Sequence, residues 1–289
     1  MEEVKYSEDG KTLLRVPENY CGEFVVPEGV TTIGEAAFFG CNEIQSIRLP
    51  KSITKIEQWA FADCFSLKEL IIPNTISVLE DAIFCKCGVK QVKIPTSVKV
   101  IKNNAFQYSG LTSLNLPDSV EEIGEWAFMG CRSLEKIHIS SSVKKMGNAP
   151  FFCCGKIEQM TVDPSNQFFD SRDNCNAIIE TSTNTLIRGC RNTIIPNTVT
   201  ALGDGAFNEC EGLKSISIPS SVITIANNVF EDSFALEEVH FHHKDPNNIE
   251  FLEKWCSTKY KFNFYVPKGS ENLYRQHPFF SHAKAIIGE

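Results

Sequence analysis

Three of the chain's six histidines stand together in Val239-His240-Phe241-His242-His243-Lys244-Asp245-Pro246. Side chains alternate along a strand, so His240 and His242 would share a side there, and Asp245 would add a third ligand for zinc or a similar ion. The cluster lacks a defined ligand set, and its plainer reading is exposed polar residues near the last coil of the fold. Cys85-Lys86-Cys87 lacks the two-residue spacer of a zinc knuckle or redox pair. His138 sits between Ile137 and Ile139, where a serine or cysteine would have to reach it from elsewhere in the chain. The sequence holds no G-x-S-x-G, no G-x-x-x-x-G-K and no H-E-x-x-H. No catalytic residue, cofactor or resident metal is expected, and metal-dependent chemistry at His240, His242 and Asp245 stands as the alternative reading.

What would position any of these residues is a repeat. Prolines close a recurring phrase at Pro27, Pro50, Pro73, Pro95, Pro117, Pro196 and Pro219, spaced by 23, 23, 22, 22, 79 and 23 residues. Ser140 takes the proline's place 23 residues after Pro117. A second column keeps step: Phe38, Phe61, Phe84, Phe106, Phe128 and Phe151, then Phe207 and Phe230. Residues 41–61, CNEIQSIRLPKSITKIEQWAF, and 210–230, CEGLKSISIPSSVITIANNVF, give the skeleton. A unit this short cannot bury its apolar positions alone, whereas stacked units form a continuous core. Triplets such as Ile47-Arg48-Leu49 and Leu114-Asn115-Leu116 alternate with the period of a half-buried strand, so one short parallel strand per repeat is predicted. The proline ends it, because it cannot donate to the ladder. The return leg, Val-x-x-Ile then Ala-Phe, is too short for a stable helix and is predicted to be an extended piece followed by one helical turn.

The same skeleton, L-x-x-L-x-I-P-x-S-V-x-x-I-G-x-x-A-F-x-x-C, resembles the BspA-like, or Treponema-type, leucine-rich repeats over residues 24–162 and 194–241, and extends to Phe264-Tyr265-Val266-Pro267-Lys268-Gly269-Ser270, which looks like the family's last strand and cap. The resemblance implies a β-rich leucine-rich-repeat solenoid. It would be a curved right-handed coil, with a parallel sheet on the concave face and short turns and helical turns on the return leg. It implies adhesion or protein binding on a bacterial surface, of the Bacteroidetes type, and no catalytic residues.

The expected organisation is a hairpin cap over 1–23, repeats over 24–162, a hairpin insertion over 163–193, repeats over 194–245 and a cap over 246–289. Lys11-Thr12-Leu13-Leu14-Arg15 matches Asn184-Thr185-Leu186-Ile187-Arg188, so the insertion reads as a second copy of the N-terminal hairpin around Asp9-Gly10. Phe251, Leu252, Trp255, Phe262, Phe264, Leu273, Tyr274, Phe279, Phe280, Ile286 and Ile287 are too apolar for a tail and suit a cap. The first residues, MEEVKYSEDGKTLLRVP, have neither a basic start nor an apolar run, so they read as part of the fold rather than as a signal peptide. Surface and cytosolic settings both stay open.

Twelve cysteines would ordinarily suggest a disulfide framework. Cys41, Cys64, Cys87, Cys131, Cys154 and Cys210 instead share one repeat column and read as small core residues, while a Cys175 to Cys190 bridge stays open. With a formal charge of −8 and a pI near 5.4, the chain disfavours nucleic acid and anionic membrane. It contains no run of 18 apolar residues that would span a membrane.

The central residue of each strand gives the candidate binding face: Arg48, Ile71, Lys93, Asn115, His138, Thr161, Ser217 and His240. Beside it runs Ser46, Glu69, Gln91, Ser113, Lys136, Gln159, Ser215 and Glu238. The lining is mixed and short, which suits a protein or peptide ligand, a host or extracellular matrix protein among them, with a glycan as a further class. Arg48, Lys93, His138 and His240 would form a sparse cationic line on an acidic protein. The chain is expected to be a monomer.

Overall fold

The structure is a computed structural model that describes residues 3–252, 262–280 and 283–289. It is a β-solenoid of stacked coils with parallel sheets and very little helix. The chain divides into two compact units, Met1–Cys154 and Gly155–Glu289, so the strand at Gln159–Val162 belongs to the second.

In the first unit the expected strands Gly22–Val25, Ile44–Arg48 and Glu69–Leu70 pair in parallel, with Phe24 opposite Ile47 and Ile47 opposite Leu70. Ser113–Asn115 pairs with Lys136–Ile139, setting Asn115 beside His138. The coil between them forms no strand at 91–94, against the expectation of one strand per repeat. This coil is a residue short at its corner. Gly88 fills that corner so closely that a Cβ there would lie 1.9 Å from the Phe65 carbonyl oxygen. The next coil is also a residue short there, at Gly110, and keeps its strand Ser113–Asn115.

A second ladder runs along the return leg. The hairpin of Lys5–Tyr6 and Thr12–Arg15 turns at Gly10 and pairs in parallel with Thr32–Ile33, which pairs with Lys55–Ile56. Val78–Leu79, Val100–Ile101, Glu122–Ile123 and Lys145–Met146 continue the pattern.

The predicted helical turn is absent from the return leg. Instead the backbone around each column phenylalanine alternates in hand, with left-handed residues two before and two after it, such as Trp59 (φ 59°) and Asp63 (φ 57°) around Phe61. The amides of Trp59, Phe61 and Asp63 then donate to Asp81, Ile83 and Cys85 of the next coil at 3.1, 3.0 and 2.8 Å. A helical turn would point those N–H groups along its own axis and leave the neighbouring coil unbonded. Buried backbone donors must be paired, and alternation pairs them.

The core of this unit is a stack of phenylalanine rings. Phe38, Phe61, Phe84, Phe106, Phe128 and Phe151 are buried, with successive centroids 5.1 to 5.5 Å apart.

In the second unit the strand Gln159–Val162 is followed by an antiparallel hairpin of Ile178–Glu180 and Thr185–Arg188, joined on its outer side by Phe169–Asp170, a strand that the alternation does not announce. Thr185–Arg188 pairs in parallel with Ala201–Leu202, then Thr224–Ile225 and Glu250–Phe251. The other ladder is Ser215–Ile218, Glu238–Phe241, Asn263–Val266 and Ala285–Gly288. The last strand is therefore 285–288 and not the one at Phe264, because the edge of Asn263–Val266 is itself paired. The helix Glu271–Gln276 and a 3-10 turn at Pro278–Phe280 connect these two strands. Phe241, Phe264, Tyr274 and Phe280 close this end as a buried ring cluster, while Leu252, Leu273 and Ile287 stay partly exposed. Trp255 lies outside the described residues.

Candidate binding face

The parallel ladder decides which side chains point outward. In the first unit Ile47, Leu70, Leu114 and Ile137 are buried, so their strand neighbours face solvent. Arg48, Lys93 and Asn115 are exposed, Ile71 is 84% exposed and His138 is half-buried. In the second unit Thr161 and Ser217 are exposed and His240 is half-buried.

The column is longer than the eight residues read from the triplets. Val25, Ile194 and Tyr265 stand two residues before Pro27, Pro196 and Pro267, and Ile287 lies opposite Tyr265. Val25 and Ile194 are 59% and 78% exposed. Proline spacing signals all but Ile287.

Two members of the expected cationic line, Arg48 and His240, sit against carboxylates. Arg48 Nε bonds Glu23 Oε1 at 2.5 Å. His240 stacks on Tyr265 with centroids 4.5 Å apart, and its ring nitrogens face Glu289 Oε1 at 2.9 Å and Glu238 Oε2 at 3.5 Å. Carboxylates beside each cation cancel its reach, as expected for exposed pairs on an acidic protein. Lys93 keeps its charge exposed.

The metal reading is corrected. Among the described residues no group of three His, Cys, Asp or Glu is placed to hold an ion. The strand ends at Phe241, so His242 leaves the sheet beside Ser220, while the Asp245 carboxylate caps the 3-10 turn at Pro246–Asn248 by accepting from the Asn247 amide at 2.9 Å. His243 turns inward, with Nε2 2.7 Å from the Val222 carbonyl, and burial holds its pKa below the ordinary imidazole value.

The cysteines are structural. All eleven described cysteines are free thiols, including Cys175 and Cys190, and only Cys21 is exposed. The Sγ atoms of Cys64, Cys131 and Cys154 each donate to the carbonyl of the preceding coil's column phenylalanine at 3.1 Å. Ser233 replaces the thiol in its coil and donates to Phe207 at 2.6 Å. Burial pushes Cys41 up to about 11 and Cys87 and Cys210 up to about 12, so these groups stay protonated and unreactive at neutral pH.

The second unit also carries two open clefts against its strand face. One, of about 560 Å³, lies between Ile194, Ser217 and His242. The other, of about 610 Å³, lies between Gln159, Thr161 and Asn174 beside the hairpin. The first is lined by four serines and His242 beside apolar side chains, and the second by amides, Asp163, Asp170 and Arg172.

Residues 20–88, 77–188 and 178–263 match the BspA type leucine-rich repeat region, in six copies. The chain belongs to that leucine-rich repeat family. Solved bacterial proteins share its fold. A leucine-rich repeat protein from Bacteroides ovatus is 21% identical, with a TM-score of 0.66 over 100% of this chain and 76% of that one. A leucine-rich cell surface protein from Faecalibacterium prausnitzii is 22% identical, with a TM-score of 0.58 over 91% of this chain and 70% of that one. A leucine-rich repeat protein from Eubacterium ventriosum is 16% identical, with a TM-score of 0.57 over 92% of this chain and 72% of that one. No curated protein matches the sequence. Among the described residues no helix is long and apolar enough to cross a membrane.

Proposed function

We propose that this chain is a non-enzymatic protein-binding or adhesion module of a bacterial surface protein, taking a polypeptide partner on the exposed face of its strand ladder. The observation that carries the reading is a contrast between columns. Core columns are nearly uniform, phenylalanine on phenylalanine, whereas the exposed column changes from coil to coil: Arg48, Ile71, Lys93, Asn115, His138. A regular scaffold that displays a varied row of side chains is suited to reading another surface. Exposed Val25 and Ile71 among polar neighbours give the row the mixed character of a protein interface. The surface setting draws support from family membership and from the F. prausnitzii relative, whose description is a cell surface protein.

The test is surface plasmon resonance of the whole chain against immobilised fibronectin, laminin and collagen. Lys93→Glu combined with His138→Glu should weaken a saturable interaction about tenfold, since charge reversal at an interface costs on the order of 1 to 2 kcal/mol, with the melting temperature nearly unchanged. An equal loss from Lys55→Glu with Glu122→Lys on the return leg, and none from the first pair, would refute the strand face as the binding surface.

A further inference from the structure

The return-leg turn of the first unit carries a feature that neither the core nor the strand face explains. The position two residues before each column phenylalanine has a left-handed backbone in Ala36, Trp59, Ala82, Asn104, Trp126 and Ala149. Small residues and asparagine tolerate that conformation best, and a bulky side chain there is an outlier. Two of the chain's three tryptophans nevertheless occupy it, 40% and 41% exposed. They are not stacked for stability as the phenylalanines are. Trp59 lies between Ala36 and Ala82 of its column and, among the described residues, meets the ring of Phe39 edge-on at 6.5 Å, and Trp126 lies between Asn104 and Ala149. Large exposed aromatics held at a backbone cost point to recognition.

The neighbouring column gives the partner's charge. It reads Glu35, Gln58, Asp81, Asn103, Glu125 and Asn148, three carboxylates and three amides with no cation. Backbone bonds set it beside the tryptophan column: the Trp59 amide donates to the Asp81 carbonyl and the Trp126 amide to the Asn148 carbonyl, both at 3.1 Å, and Glu125 precedes Trp126 in the chain. An indole face beside carboxylates attracts Lys or Arg through both the ring quadrupole and the charge. Spacing gives the partner's conformation. Three coils at about 4.8 Å separate the tryptophans by roughly 14 Å, and four residues of extended chain rise about 13.5 Å. Residues i and i+4 of an extended chain also share a face.

We propose that Trp59 and Trp126, with Glu35, Asp81 and Glu125, form a second docking surface for an extended basic polypeptide whose Lys or Arg residues recur every fourth position. This surface is separate from the strand face, and its success or failure leaves that reading untouched.

The test titrates the whole chain with the peptide KSTSKSTSK, followed by tryptophan fluorescence and calorimetry. Binding should weaken with added salt, and KSTKSTK, with three-residue spacing, should bind more weakly. Trp59→Gly with Trp126→Gly should lower affinity at least about fivefold, as the loss of two cation–π contacts requires. Glycine suits the left-handed backbone, and circular dichroism melting checks that the variant folds. Glu35→Gln with Glu125→Gln, which spares the backbone, should weaken binding and flatten its salt dependence. Equal affinity for both spacings, no effect of the carboxamide pair, or stronger response to a neutral glucose hexasaccharide than to the peptide would overturn the proposal.

Discussion

At the residue scale the fold rests on columns in which the same side chain meets its copies above and below. Phe106 and Phe128 are fully buried, with ring centroids 5.3 Å apart and planes 6° from parallel. Each has copies on both sides, so no neighbour can collapse into a gap, and Phe128→Ala is expected to cost about 3 to 5 kcal/mol in urea unfolding. A loss below about 1 kcal/mol would mean that the column does not carry the core. The thiol column gives a chemical check. Among the described cysteines only Cys21 is exposed, so brief iodoacetamide treatment of native protein, read by peptide mass spectrometry, should modify Cys21 well before Cys64, Cys87 or Cys210. Comparable rates at all four would remove the inward assignment.

At the element scale the sequence revealed which residues recur but not every backbone hand they adopt. Proline and phenylalanine columns announced the stacked coils because burial repeats with the period. The alternating turn stayed hidden because Ala36, Trp59 and Asn104 differ in size and polarity; what they share is a positive φ demanded by N–H groups reaching the next coil. The strand absent at 91–94 leaves no mark in the alternation of Val92, Lys93 and Ile94. On the face, Arg48 was legible as exposed, but its pairing with Glu23, 25 residues away in sequence, was not. The metal alternative at the histidine cluster rested on strand parity, which cannot say where a strand stops.

The same cluster yields a pH prediction. Burial lowers the His243 pKa below 6.5, and burial lowers that of His277 against the pull of Asp245. Above the unfolded value both rings are neutral in either state and their contribution to stability is complete. As pH falls through about 6.5 the unfolded chain binds protons that the fold resists, so stability declines. The melting temperature should therefore drop between about pH 7 and pH 5, and His243→Gln should flatten that slope. A variant with the wild-type slope would assign the acid sensitivity elsewhere.

At the scale of the whole molecule, each unit holds a hairpin that joins its return-leg ladder, Thr12–Arg15 on Thr32–Ile33 and Thr185–Arg188 on Ala201–Leu202. A hairpin there supplies the first rung against which a coil's extended piece can pair. What the scaffold displays is then the matter of function, and the central claim is that the varied strand face receives the partner. Lysines report on each side directly: Lys93 and Lys136 are exposed on the strand face, Lys55 and Lys145 on the return leg. The decisive measurement is residue-resolved lysine acetylation of the chain alone and with the matrix protein that binds it. The account predicts that Lys93 and Lys136 become protected while Lys55 and Lys145 react as before; protection of the return-leg pair alone, or no saturable binding to any of the three matrix proteins, would contradict it.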